Sequence, residues 1–197
     1  MKSKFDPQKH HRRSIRLKGY DYSSEGAYYV TIVAHGRECL FGEIIDGEMH
    51  PSKYGEIIQK WWNEISVHFP NVELGAFVIM PNHVHGIIFI IDNRSDHPNS
   101  NNQENVNNIN QGGETQNQGG ETPPQRRPTL GQIMAYFKYQ STKEMNKIET
   151  ENSITKFWQR SYYEHIIRNE KELQQKTDYI MDNPSQWDED DENPVKP

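Results

Sequence analysis

Residues 27–34 (Ala-Tyr-Tyr-Val-Thr-Ile-Val-Ala) are β-branched and aromatic, the mark of a strand. A second short apolar run covers 40–45. Asp46-Gly47 follows, a pair favoured in two-residue hairpin turns, with 48–50 as the return strand. Over 53–69 the period changes. Tyr54, Ile57, Ile58, Trp61, Trp62, Ile65 and Phe69 recur at helical spacing and form one broad apolar face. Ser52 is placed to cap that helix and Pro70 to stop it. Both tryptophans read as core. Residues 72–80 and 84–91 are two further strands, and the short Pro81-Asn82 join requires them to pair antiparallel.

The apolar pattern resumes at 129–148 as a second helix. Thr129 and Gln132 have the spacing of a capping box. Leu130, Ile133, Met134, Phe137, Ser141, Met145 and Ile148 make its buried stripe. Lys138, Lys143 and Lys147 fall off that stripe, as a solvated face or as one directed at phosphates. Residues 157–160 read as a turn and 161–168 as a strand. Asn169 then caps a third helix, with Glu172 at the reciprocal position, running to about residue 183 because Pro184 disfavours helical geometry before it.

Polarity is unevenly spread along the 197 residues. The 92–125 stretch is almost free of apolar residues and carries Gly-Gly-Glu-Thr twice. It cannot bury enough surface to offset its ordering entropy, so a disordered surface insertion is expected there. An unbroken acidic run at 188–192 lies in an acidic tail, 188–197. The remainder has the size of one ordinary domain, and the chain reads as a single domain over 1–197. These segments account for the net charge of −6 and conceal a basic arm at 1–20. That arm holds Lys2, Lys4, Lys9, Arg12, Arg13, Arg16 and Lys18 against Asp6 alone, which suits either a grip on nucleic acid or a solvated terminus. Cys39 is the single cysteine, which excludes an intrachain disulfide and a cysteine-based zinc site. Nothing has the length and apolarity of a membrane span or a signal-peptide core. A cytoplasmic location with no membrane partner is the expectation.

The chemistry concentrates in His83-Val84-His85. On a strand these two imidazoles point to one face and can bind one metal ion. The same pattern also arises from two ordinary histidines at a strand entrance. On the last helix Leu173, Thr177 and Ile180 form the inward stripe, while Tyr179 and Asn183 share a face about 120° away. A tyrosine there can present its hydroxyl and an asparagine one turn later its amide oxygen, although tyrosines also half-bury without function. Together, two strand histidines, a helix tyrosine and a helix asparagine are a set that metal-assisted phosphodiester cleavage with a covalent tyrosine intermediate needs.

Three segments in this order resemble a known family. They are Met80-Pro81-Asn82-His83-Val84-His85-Gly86, the run Phe-Trp-Gln-Arg-Ser-Tyr-Tyr-Glu-His-Ile-Ile-Arg-Asn at 157–169, and Asp178-Tyr179-Ile180-Met181-Asp182-Asn183-Pro184. The chain is similar to the REP-associated tyrosine transposases, within the HUH single-strand DNA transposases, over nearly everything except 92–125. The resemblance implies an α+β, ferredoxin-like fold, an antiparallel sheet with helices packed on it. It implies His83 and His85 as metal ligands, Tyr179 as nucleophile and, by position, Asn183 as a third ligand. The implied ion is Mg²⁺ or Mn²⁺, although two neutral imidazoles would also suit Zn²⁺. The implied partner is single-stranded or hairpin DNA of the repetitive extragenic palindrome kind, bound by a monomer or homodimer, with nucleoid association when on DNA. From charge and position, Arg12, Arg13, Arg16, Lys138, Lys143, Arg160 and Arg168 are candidates for DNA contact. Glu164 and His165 are candidates to orient an imidazole. A hairpin-binding protein without catalysis and a replication-initiator-type HUH nuclease are the alternatives.

Overall fold

The computed structural model describes residues 17–92, 127–148 and 156–194. Arg12, Arg13 and Arg16 of the basic arm, and the insertion from residue 93 onward, lie outside the described residues.

Four strands form one antiparallel sheet in the order β4-β5-β1-β6, with β1 Gly26–Val33, β4 Val72–Ile79, β5 His83–Ile90 and β6 Tyr163–Ile167. With α1 Lys53–His68 between β1 and β4, and α2 Leu130–Ile148 between β5 and β6, the connectivity is βαββαβ. This is the ferredoxin-like α+β arrangement expected from the sequence. A two-stranded hairpin, β2 Gly42–Ile45 and β3 Glu48–Pro51, is inserted after β1. Its turn is Asp46-Gly47 with both residues at positive φ (53° and 81°), as a two-residue hairpin of this type requires. The first strand of the hairpin begins at Gly42 rather than at residue 40, because Leu40 and Phe41 turn the chain into the core, where Phe41 is fully buried.

Each helix forms for a local reason. Ser52 Oγ accepts from the backbone N–H groups of Tyr54 and Gly55 and opens α1. Thr129 and Gln132 close the reciprocal capping box at the start of α2. Asn169 Oδ1 accepts from Glu172 N–H at the start of α3, Glu170–Asp182. Glu172 does not reach back to the cap residue itself. Its carboxylate takes the backbone N–H of Arg168 at 2.8 Å and His165 Nε2 at 2.5 Å.

Helices α1 and α2 lie on the sheet face formed by Tyr28, Val30 and Ile32 of β1 and Val84, Ile88 and Ile90 of β5, and Trp62 and Phe137 fill the gap between the layers. Trp62 stacks on Phe77 with centroids 4.3 Å apart and rings 13° from parallel. Trp61 is only partly buried, and its indole N–H donates to Glu144 at 2.6 Å. Ile148, expected in the buried stripe of α2, is 46% exposed, because the stripe ends one turn earlier at Met145. Helix α3 covers part of the opposite face through Ile180 and Leu173, against Tyr29, Ile87 and Ile167. What α3 leaves open on that face is the candidate site. Among the described residues no helix is long and apolar enough to cross a membrane.

Candidate metal and tyrosine site

Strand alternation fixes the site's floor. In the register of β1 with β5, Thr31 lies opposite His85 and Val33 opposite His83, so these side chains share the α3 face. On the other side of β1, Tyr163 lies opposite Thr31 and His165 opposite Tyr29. The two imidazoles are nearly fully buried, and their Nε2 atoms converge to 2.9 Å.

Three neighbours aim the rings. Asn82 Oδ1 can only accept, so His83 Nδ1 is the protonated nitrogen at 2.8 Å and its Nε2 carries the free lone pair. His85 Nδ1 meets Tyr29 Oη at 2.7 Å and Thr31 Oγ1 at 2.9 Å. A hydroxyl donates or accepts as required, so His85 can also turn an Nε2 lone pair toward the point shared with His83. Burial holds both imidazoles neutral. It lowers His83 to about 4, opposed by Asp190 and assisted by Arg37. It takes His85 well below the ordinary value, helped by His83 and Lys176. Neutral imidazole is the form that ligates a cation.

A third candidate ligand atom comes from a place the sequence did not point to. Asp190 is buried beside the pair, with Oδ2 3.8 Å from His83 Nε2, and ligand atoms of His83, His85 and Asp190 all lie within 4.8 Å of one another. Within the acidic run Asp190 is buried and Glu192 partly buried, while Asp188, Glu189 and Asp191 remain exposed. After a 3-10 segment, Asn183–Glu189, the chain folds back over the site. Asn82 Nδ2 donates to the Glu192 carbonyl at 2.7 Å, and the Arg37 side chain bonds Glu192 at 3.2 Å and the Asp191 carbonyl at 3.4 Å.

Tyr179 stands at the open side. Its ring centroid is 5.3 Å from that of His85, and the residue is 42% exposed. Burial raises its phenol above the ordinary range, with Asp190 adding to the effect and a hydrogen bond from the Asn183 side chain opposing it. Asn183 is buried next to it, and its Oδ1 has no hydrogen-bond partner among the described residues. Such an orphaned acceptor is costly unless a further group completes it. Lys176, one turn before Tyr179 on α3, places its ammonium 4.6 Å from the centre of the Tyr29 ring. Tyr29, Thr31, His85, Tyr163, Lys176, Tyr179 and the 190–192 acidic segment enclose a cavity of about 280 Å³.

The other anticipated residues are placed differently. Glu164 lies opposite Val30, so it occupies the sheet face away from the imidazoles and cannot orient them. His165 shares the site's face but bonds Glu172 instead of either imidazole. The groups that do orient the imidazoles are Asn82, Tyr29 and Thr31. Lys143 is exposed on α2, and Arg168 is exposed at the end of β6. Lys138 is not free for a phosphate: its ammonium bonds the Gln159 and Arg160 carbonyls, the latter at 3.2 Å.

No protein-family model matches the chain. It is 41% identical over 190 residues to an uncharacterized protein of Haemophilus influenzae, covering 96% of this chain and 97% of that protein. In structure it is similar to a REP-associated tyrosine transposase solved bound to a REP hairpin, with a TM-score of 0.55 at 17% identity, over 89% of this chain and 74% of that one. The chain thus belongs to one family with the Haemophilus protein, and its fold is that of a REP-associated tyrosine transposase.

Proposed function

We propose that the protein is a metal-dependent single-strand DNA nuclease and strand transferase, a transposase in kind, with Tyr179 as its nucleophile. One observation carries this reading. A half-exposed tyrosine stands over two buried, neutral imidazoles whose Nε2 atoms converge at 2.9 Å beside the Asp190 carboxylate, an arrangement in which both nitrogens can turn a lone pair toward one cation.

The donor set fits a divalent ion. His83 and His85 would supply nitrogens, Asp190 a carboxylate oxygen, and Asn183 an amide oxygen that otherwise stays orphaned. Mixed nitrogen and oxygen ligation suits Mn²⁺ better than Mg²⁺, which prefers an all-oxygen shell. Bound there, the ion would neutralise charge on a non-bridging oxygen of the scissile phosphate and make phosphorus more electrophilic.

The remaining steps belong to the chain's own residues. Tyr179 Oη attacks phosphorus and the P–O bond to the 3′ oxygen breaks. The phenolic proton is lost from Oη and a proton is gained by the departing 3′ oxygen. The products are a 5′-phosphotyrosine and a free 3′-hydroxyl. One ester replaces another, so the 3′-hydroxyl of a second strand can reverse the attack and complete strand transfer. Tyr29, Thr31 and Asn82 hold the imidazoles in aim, and the positive charge of Lys176 faces the same cavity as the incoming phosphate.

The test is a labelled DNA hairpin with a single-stranded flank, incubated with protein and Mn²⁺ and resolved on a denaturing gel. Wild type should give a covalent protein–DNA adduct, and Tyr179→Phe should give none while still shifting the hairpin on a native gel. An adduct that survives Tyr179→Phe assigns the nucleophile elsewhere. Hairpin binding by wild type with no adduct in any divalent metal leaves a binding protein without catalysis.

A further inference from the structure

A second cavity, of about 340 Å³, lies on the opposite side of the sheet, between α2 and residues 156–160. Its charged lining is entirely positive: Lys138, Lys156 and Arg160. The cavity between α1 and α2 contains Glu56 and Glu144, and the tyrosine cavity contains Asp190, Asp191 and Glu192. Of these three, only the 156–160 cavity has no carboxylate among the described residues that line it.

Its walls are held in place. Trp158 pairs with Ala34 as an extension of the sheet, and its indole N–H donates to Ser141 Oγ at 3.0 Å. The backbone carbonyl of Phe157 accepts from His35 N–H at 2.8 Å, and that of Val33 accepts from Gln159 N–H at 2.9 Å. Lys138 clamps the Gln159 and Arg160 carbonyls from below, which fixes the backbone that carries the Arg160 side chain. The cationic ends of Lys156 and Arg160 make no hydrogen bond or ion pair among the described residues, and both residues are exposed. On the α2 wall Tyr139 is 64% exposed, a large aromatic surface left uncovered beside two uncommitted cations.

A flat apolar ring with two nearby cations and no competing anion among the described residues is what an unpaired nucleotide requires: a stacking surface for the base and charge for its phosphate. The cavity is also connected to the chemistry by the chain itself. Three residues after Arg160, at roughly 3.3 Å per residue along an extended chain, β6 presents Tyr163 to the tyrosine cavity. One continuous nucleic-acid strand passing over the edge of β6 would touch both cavities.

We propose that this cavity is a subsite for an unpaired nucleotide of the DNA strand that flanks the scissile phosphate, with Tyr139 stacking on the base and Lys156 and Arg160 holding the backbone. The proposal rests on the single-strand DNA reading given above. Lys138 acts through the 159–160 backbone and is a positioning residue.

The experiment is fluorescence anisotropy of a fluorescein-labelled oligo(dT) with the full chain, repeated across a salt series. Tyr139→Ala should weaken binding about 10-fold, the value of one lost base stack, whereas Tyr139→Phe should bind as wild type does. Lys156→Ala and Arg160→Ala should each lower the slope of log K against log salt by about 0.7, one phosphate contact on a single strand. Tyr139→Ala with unchanged affinity overturns the subsite and leaves the DNA reading standing, as does an equal loss in Tyr139→Phe. Failure of wild type to bind oligo(dT) at all removes the single-strand reading and the subsite with it.

Discussion

The indole of Trp62 lies directly against the α-carbon of Gly86, the residue that follows the two site histidines. A methyl group at Gly86 would overlap ring atoms Cζ2 and Cη2 of Trp62. Strand alternation places His83 and His85 on one face and Gly86 on the other, so this glycine serves packing and not the chemistry beside it. Gly86→Ala should destabilise the protein by about 1–3 kcal/mol through overpacking, seen as a lower urea midpoint. An unchanged midpoint would mean that the α1 layer shifts freely over the sheet.

Metal binding should be readable without any DNA. A ligand that binds only the folded state stabilises it by about 2.7 kcal/mol at 100 times its Kd. Wild type should therefore gain melting temperature as Mn²⁺ is added. His83→Ala combined with His85→Ala should abolish that gain, and Asp190→Ala or Asn183→Ala should each move it to higher Mn²⁺. If Asp190→Ala leaves the titration unaltered, Asp190 is only a neighbour and Asn183 supplies the oxygen.

Acid should weaken the metal-free fold at a defined place. Burial depresses His83 from 6.5 to about 4. Between those values the unfolded chain binds the proton and the folded chain does not, so stability is present above about 6.5 and falls as pH drops toward 4. His85 is shifted in the same direction. Each imidazole contributes a slope of about 1.4 kcal/mol per pH unit while it alone differs between the two states. Urea midpoints measured across this range should fall in wild type, and His83→Gln should flatten the fall.

Much of this architecture is legible in the residues. The Asp46-Gly47 turn, the Ser52 and Thr129 caps and the 3.6-residue stripe of α1 depend on near neighbours, and the structure follows them. Glu164 and His165 are consecutive on a strand, so alternation alone shows that they cannot serve the same imidazole. Lys176 precedes Tyr179 by three residues on a helix and was open to the same kind of reading. Tyr29 and Thr31 are harder: their shared face follows from β1, but their position beside His85 depends on which strands become neighbours. Asp190 is the least legible of the site residues. In composition it is one acid in a run of five, and only long-range contacts through Asn82 and Arg37 bring it onto the imidazoles.

The Asp92 carboxylate and the Arg127 guanidinium lie 3.8 Å apart, so the two points where the long polar segment leaves and rejoins the fold sit side by side. They lie beyond Ile90, at the opposite end of β5 from His83, roughly 24 Å away at 3.4 Å per residue. Replacing 93–126 by a short Gly-Ser turn should preserve both the melting temperature and the Tyr179 adduct. Loss of either would show that the segment supports the core or the site. A gene can lengthen, shorten or exchange sequence at such a junction without displacing the histidine pair or Tyr179. The same junction is a natural port for grafting a fluorophore or a second binding module onto the protein.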